Sequence, residues 1–89
     1  MATMMIQLKV KSFAEWKKVY DSVAGLRASW GALSDQVYHE AADPNKVIVL
    51  SKWDSLANGQ KWSKSAELKA AMEKAGVERP PSFTFLDEA

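Results

Sequence analysis

The chain carries a single histidine and no cysteine. His39 opens the stretch HEAADPNKVIVLSKW, which ends at Trp53. An imidazole titrates at about pH 6.5 in the absence of perturbation, so His39 can give or take a proton near neutrality. It is the first candidate catalytic residue. Asn58 and Trp62 are the second and third. They stand four residues apart on a predicted helix and so share one face. An amide there can orient a phenolic or quinoid oxygen, and an indole offers a surface for stacking. The plainer readings are a polar residue on a half-buried strand for His39, and a surface amide above a core tryptophan for the pair.

Aromatic residues form the next group: Trp16, Tyr20, Trp30, Tyr38, Trp53, Trp62, Phe83 and Phe85. Four tryptophans in 89 residues is a heavy load. They can line a flat apolar cavity, or supply the large side chains that a small core needs. Arg27 flanks the apolar stripe of its helix, where a guanidinium can meet a ligand carboxylate or carbonyl, or pair with a surface acid. Tyr20, Arg27, Tyr38 and Trp53 are therefore the candidate substrate-binding residues. Without cysteine, thiolate metal sites and disulfides are excluded, and one histidine excludes a multi-histidine site within the chain. No metal site, cofactor motif, phosphate loop or nucleophile elbow is expected.

The elements that must position these groups are legible in the hydropathy pattern. Met4, Ile6, Leu8 and Val10 alternate with Gln7 and Lys9, a period of two that predicts a strand over Met4–Val10. Ser12 and Glu15 form a capping-box signature. Trp16, Val19, Tyr20, Val23, Leu26 and Trp30 then recur at helical spacing, predicting one helix from Phe13 to about Trp30, stopped at Gly31. Gln36–Ala41 and Lys46–Trp53 read as strands joined by the Asp43-Pro44-Asn45 turn. The register of that hairpin decides His39's face. If Ala41 pairs with Val47, His39 joins Val49 and Trp53; a slip by one puts it with Ile48, Leu50 and Lys52. Asp54 or Ser55 can cap a short helix to about Ser63, and Ser65 a second, with Leu68, Ala71, Met72 and Ala75 buried and Gly76 past its end. Arg79-Pro80-Pro81 breaks the chain before a last strand, SFTFL, and Asp87-Glu88-Ala89 is a polar tail.

The order β-α-β-β-α-α-β predicts an α+β, ferredoxin-like domain with a four-stranded antiparallel sheet, spanning residues 1–89 as one unit. Helices cover only one face of such a sheet. Ile48 and Leu50 oppose Val47 and Val49, so the other face is apolar too, and a homodimer through that sheet face would cover it. Net charge is +1 from 12 basic and 11 acidic residues. They are mixed along the chain, which argues against nucleic acid as a partner. No apolar run reaches the ~20 residues of a membrane span, and MATMMIQLKV does not read as a signal peptide. A cytoplasmic protein is expected, with a small aromatic ligand as its other partner.

The whole pattern resembles the antibiotic biosynthesis monooxygenase-like group of the dimeric α+β barrel superfamily. The resemblance rests on FAEWKKVY, DPNKVIVL, KWDS, SAELKAAMEKAGV and PPSFTFL and covers nearly the full chain. It implies subunits that pair as a dimeric α+β barrel, and it admits metal- and flavin-free monooxygenases, haem-degrading enzymes and isomerases. The Asn58/Trp62 spacing is similar to an Asn/Trp pair in some members of the group. Haem-degrading members use an asparagine on the first strand and a late histidine; here Gln7 stands on that strand and no histidine follows His39, which argues against that activity. Two functions follow. One is a cofactor-free monooxygenase for an aromatic or polycyclic ketide-like substrate, where a base would form a substrate carbanion or phenolate that meets oxygen. The other is a non-catalytic dimeric module binding a ligand or a protein on the same scaffold.

Overall fold

The computed structural model describes residues 2–78 and 80–88. Met1, Arg79 and Ala89, which belong to the expected first segment, proline break and tail, lie outside them. Strand β1 (Ala2–Lys9) is followed by helices α1 (Phe13–Ser22) and α2 (Ala24–Ser29), then by β2 (Ala32–His39) and β3 (Lys46–Trp53). Helices α3 (Leu56–Ser63) and α4 (Ala66–Ala75) lead to β4 (Ser82–Leu86). The strands form one antiparallel sheet in the order β2-β3-β1-β4. This is the expected ferredoxin-like sheet with its helices.

Alternation decides which face each residue takes. Met4, Ile6, Val47, Val49 and Trp53 lie on the covered face and are almost fully buried. Trp16 of α1, Trp62 of α3 and Ala75 of α4 close the core over them. Helix α1 packs beside α4, and α3 rests on β1 and β3.

The single long helix expected from Phe13 to Trp30 is two helices. Val23 leaves helical geometry (φ −105°, ψ 15°) and serves as both the end of α1 and the cap of α2. Two local causes stand out. The Ser22 hydroxyl bonds back to the Val19 carbonyl at 2.6 Å, which offers the backbone an alternative to the helical ladder. Gly25, just beyond, contributes little helix propensity. At the break the Tyr20 carbonyl accepts from the Val23 N–H at 3.3 Å and from Arg27 Nη1 at 2.6 Å. Periodicity could not show this, because Trp16 to Trp30 keep their spacing across a one-residue kink.

Three helix caps follow the sequence closely. Ser12, Ser55 and Ser65 accept from Glu15, Asn58 and Leu68 backbone N–H groups. Only the serine half of the Ser12–Glu15 box forms among the described bonds; the Glu15 carboxylate sits 3.6 Å from Lys18 instead. Gly76 ends α4 in the left-handed region (φ 76°), the conformation a glycine takes at lowest cost. At Gly31 (φ 114°) a Cβ would also collide with the Asp54 carboxylate.

The β2–β3 hairpin places His39 opposite Val47, and the strand stops there rather than at Ala41. The shift from the Ala41–Val47 pairing is two residues, so His39 keeps the face of Val49 and Trp53. Asp43 and Asn45 set the turn: Asp43 Oδ1 accepts from the Asn45 N–H at 3.0 Å, and Lys46 N–H bonds Asp43 O. Asn45 also ties the hairpin to α1, accepting from Phe13 N–H at 3.1 Å through its side chain and from Val10 N–H at 2.9 Å through its carbonyl. At the other end of β2 a bulge at Leu33 shifts the register between Ala32 and Ser34.

Candidate active site

Between the sheet and the helices lies an apolar cavity. Trp53, Trp62 and Met4 form much of its floor and side, Trp16, Tyr20 and Arg27 come from the split helix, and Met72 comes from α4. It admits the centre of a water-sized sphere over about 50 Å³. That holds a few water molecules, so a fused-ring ligand requires the helices to move apart.

Trp53 and Trp62 are each 1% exposed. Their rings are 6.4 Å apart and tilted, and Trp30 meets Trp62 edge-on at 5.6 Å, the offset arrangements aromatic quadrupoles favour. The Trp53 indole N–H donates to Ser51 Oγ at 2.9 Å. Ser51 interrupts an otherwise apolar strand face, and this bond is why a hydroxyl is tolerated there.

At one end of the cavity the lining residues Tyr20 and Arg27 are contacted by Asp35, which is exposed and outside the lining. The Tyr20 hydroxyl donates to Asp35 Oδ2. Arg27 lies flat over the Tyr20 ring, 3.7 Å from its centroid, and its Nη2 is 3.7 Å from Asp35. Trp16 stacks on Tyr20 as well, with 4.8 Å between the two rings. Burial raises the Tyr20 pKa strongly, and the Asp35 hydrogen bond adds to the rise because the neutral phenol is the donor. The folded state therefore holds the proton more tightly than the unfolded chain. Its contribution to stability is present below the unfolded value of 10.0 and is lost as pH rises above it. In a Tyr38→Phe variant, which leaves one tyrosine, phenolate absorbance should develop only above pH 10.0, together with the loss of tertiary structure. A free phenolate forming near pH 10.0 in the folded state would show that the hydroxyl is not enclosed.

Of the expected site residues, the fold brings Tyr20, Arg27, Trp53 and Trp62 together around the cavity. The other three lie elsewhere. His39 is exposed at the end of β2, edge-on to Phe13 with 5.1 Å between rings. Its Nδ1 is 3.0 Å from the Glu40 carbonyl, which can only accept, so Nδ1 is the donor in this contact. Asn58 donates from Nδ2 to Asp54 Oδ1 at 2.9 Å and lines a shallow polar depression with Ser29, Trp30 and Gly31. Tyr38 pairs with Ile48 on the uncovered side of the sheet. Sequence reasoning placed Met72 on the buried stripe of its helix, but missed Ser51 in the cavity lining and Asp35 beside Tyr20 and Arg27. Ser51 was within reach, as a polar break in the parity of Val47, Val49 and Trp53. Asp35 shares the parity of Val37 and His39 but sits in a strand without a strong apolar pattern.

The sheet order, the one-sided helix layer and the cavity beneath it define a ferredoxin-like α+β domain. The family model for antibiotic biosynthesis monooxygenase matches residues 1–74, and the chain belongs to that family. A comparison with curated proteins finds no match. Among solved structures, the chain is similar to a Bordetella bronchiseptica protein provisionally called an antibiotic biosynthesis monooxygenase, with a TM-score of 0.84 and 12% identity over 99% of this chain and 96% of the other. It is similar also to SnoaB, a cofactor-independent oxygenase from Streptomyces nogalater (TM-score 0.80, 13% identity, 99% and 92% covered). A Caulobacter crescentus protein, again a provisional antibiotic biosynthesis monooxygenase, shares 22% identity with a TM-score of 0.77, over 99% of this chain and 89% of its own. At these identities the likeness is one of fold. No helix among the described residues is long and apolar enough to cross a membrane.

Proposed function

We propose that the protein is a cofactor-independent monooxygenase acting on an aromatic, ketide-like substrate held in the cavity beneath α1 and α3. The observation that carries this reading is the cavity itself: a tryptophan-lined apolar space with its polar groups gathered at one end. Family membership and the likeness to a cofactor-independent oxygenase support the choice of chemistry. Trp53 and Trp62 would pack against the rings, and Tyr20 and Arg27 would orient an oxygen substituent. In such chemistry the substrate gives a proton to water to form a carbanion or phenolate, and that electron-rich species reacts with oxygen.

The test is oxygen uptake with anthrone- and quinol-type substrates. The wild type is expected to consume oxygen above the buffer rate, and Trp62→Phe to lose most of it with the fold intact. His39→Ala and Asn58→Ala are expected to lose little, because neither side chain lines the cavity. No uptake with any of these substrates would overturn the reading. A second reading, ligand binding without turnover, is favoured by one observation: the only histidine of the chain lies outside the cavity. It predicts saturable binding of the same compounds with no oxygen consumed.

We also propose that the protein is a homodimer formed through the uncovered face of the sheet. A diagonal of Tyr38, Ile48, Leu50, Met5 and Leu86 crosses that face, with Tyr38 50% and Leu86 40% exposed. A contiguous apolar strip of this kind marks an interface.

A further inference from the structure

The cavity walls are hydrocarbon with three polar interruptions, and two of these are already occupied. Ser51 is taken by the Trp53 indole, and the Tyr20 hydroxyl donates to Asp35. The third is Arg27, the one charged side chain among the described residues of the lining, and only 8% exposed. A guanidinium presents five donors in a planar fork. Here Nη1 is used on the Tyr20 carbonyl at 2.6 Å. The facing carboxylate of Asp35 stands 3.7 Å from Nη2, beyond hydrogen-bond distance, and the same oxygen accepts from Tyr20. A buried cation with a partner held out of bonding range is an unfavourable arrangement.

The two members of this pair differ in their freedom. Arg27 is fixed by the Tyr20 carbonyl at the helix break and by the Tyr20 ring beneath it. Asp35 is on the edge strand β2, and its side chain is 37% exposed, so it can turn to water at small cost. We infer that the cavity selects an aromatic carboxylate: the rings enter among the tryptophans, the carboxylate bonds the Arg27 fork, and Asp35 is a resident counter-ion that the ligand displaces. This rests on the cavity being the ligand site. The neutral analogue of the same shape gains no charge-assisted bond and leaves the Arg27–Asp35 pair in place. Asp35 then acts as a specificity residue through Arg27, since it must be outcompeted and only an anion can do so.

The experiment is calorimetric titration of 2-naphthoate and its neutral isostere 2-naphthamide, with the indole N–H resonances of the four tryptophans followed in parallel. Wild type should bind naphthoate at least about tenfold more tightly, the size of one charge-assisted bond. Asp35→Asn should tighten naphthoate further, by several-fold, with naphthamide unchanged. Arg27→Gln should remove the preference. Asp35→Asn keeps Arg27 in place, so the inference stands or falls on it even where Arg27→Gln fails to fold. Equal affinities in the wild type, or a preference in Asp35→Asn no wider than in the wild type, would overturn the inference and leave the cavity reading intact. If neither probe binds and shifts the Trp53 and Trp62 resonances, the cavity reading fails and the inference fails with it.

Discussion

Trp62→Ala should destabilise the protein by about 3–5 kcal/mol, the usual range for removing a buried large aromatic. A domain of this size holds a total stability of about 5–15 kcal/mol, so the variant should be largely unfolded under mild conditions. The loss has three sources. The indole is 1% exposed and leaves a void when removed. It lies between Trp30 and Trp53, whose edge-on and tilted contacts at 5.6 and 6.4 Å disappear together. It also borders a cavity that is already open, so deletion enlarges an existing void instead of creating one that neighbours could fill. Trp62→Phe keeps most of the volume and should cost far less. Urea denaturation of both variants checks this. A loss below about 1 kcal/mol for Trp62→Ala would mean that α3 collapses onto β3 to fill the gap, and that Trp62 is no rigid wall for a ligand.

Much of the frame was open to inspection in the sequence because the determinants are local. The alternation in β1 needs only adjacent residues. The serine caps need a hydroxyl three residues from a backbone N–H, and Asp43-Pro44-Asn45 makes its turn from its own side chains. What escaped depends on contacts distant in sequence or on a single extra residue. The kink at Val23 leaves the apolar spacing of Trp16 to Trp30 untouched. The bulge at Leu33 is one residue in a weakly patterned stretch, yet it sets which of Ser34 and Asp35 faces the cavity.

The candidate site shows the same division. Tyr20, Arg27, Trp53 and Trp62 converge because each lies on the buried stripe of its element. Asn58 is on the same helix face as Trp62, but it stands in the first turn, where the Asp54 carboxylate captures its amide. Spacing alone could not foresee that competition. For His39 the parity was within the expected alternatives, and its distance from the cavity was not. It ends the edge strand β2, edge-on to Phe13 and exposed, while its partner Val47 on the inner strand β3 is buried. A histidine's face can be read from a strand pattern, but its depth depends on where the covering layer stops.

Leu50→Lys should convert the proposed dimer to a monomer. Leu50 lies at the centre of the uncovered face, paired with Met5 on β1 and Gln36 on β2. In a two-fold dimer every substitution occurs twice in the same interface, close to the axis for a central residue. A buried lysine without a partner costs several kcal/mol, and two like charges there repel. With every 1.4 kcal/mol worth a factor of about ten, the dimer Kd should rise by at least about a hundredfold. The fold itself should persist, since Leu50 takes no part in the core under the helices. Sedimentation at micromolar concentration distinguishes the species. Leu56→Lys, at a residue 41% exposed on α3, is the control and should leave association unchanged. A wild type that sediments as a monomer, or a Leu50→Lys variant that remains dimeric, would contradict the proposed interface. The coupling to function runs through β1 and β3. Their outer residues Met5 and Leu50 would meet the second subunit while their inner residues Met4, Val49 and Trp53 line the cavity. The proposed dimer would thus stiffen the floor of the site and leave opening for a ligand to the split helix above it.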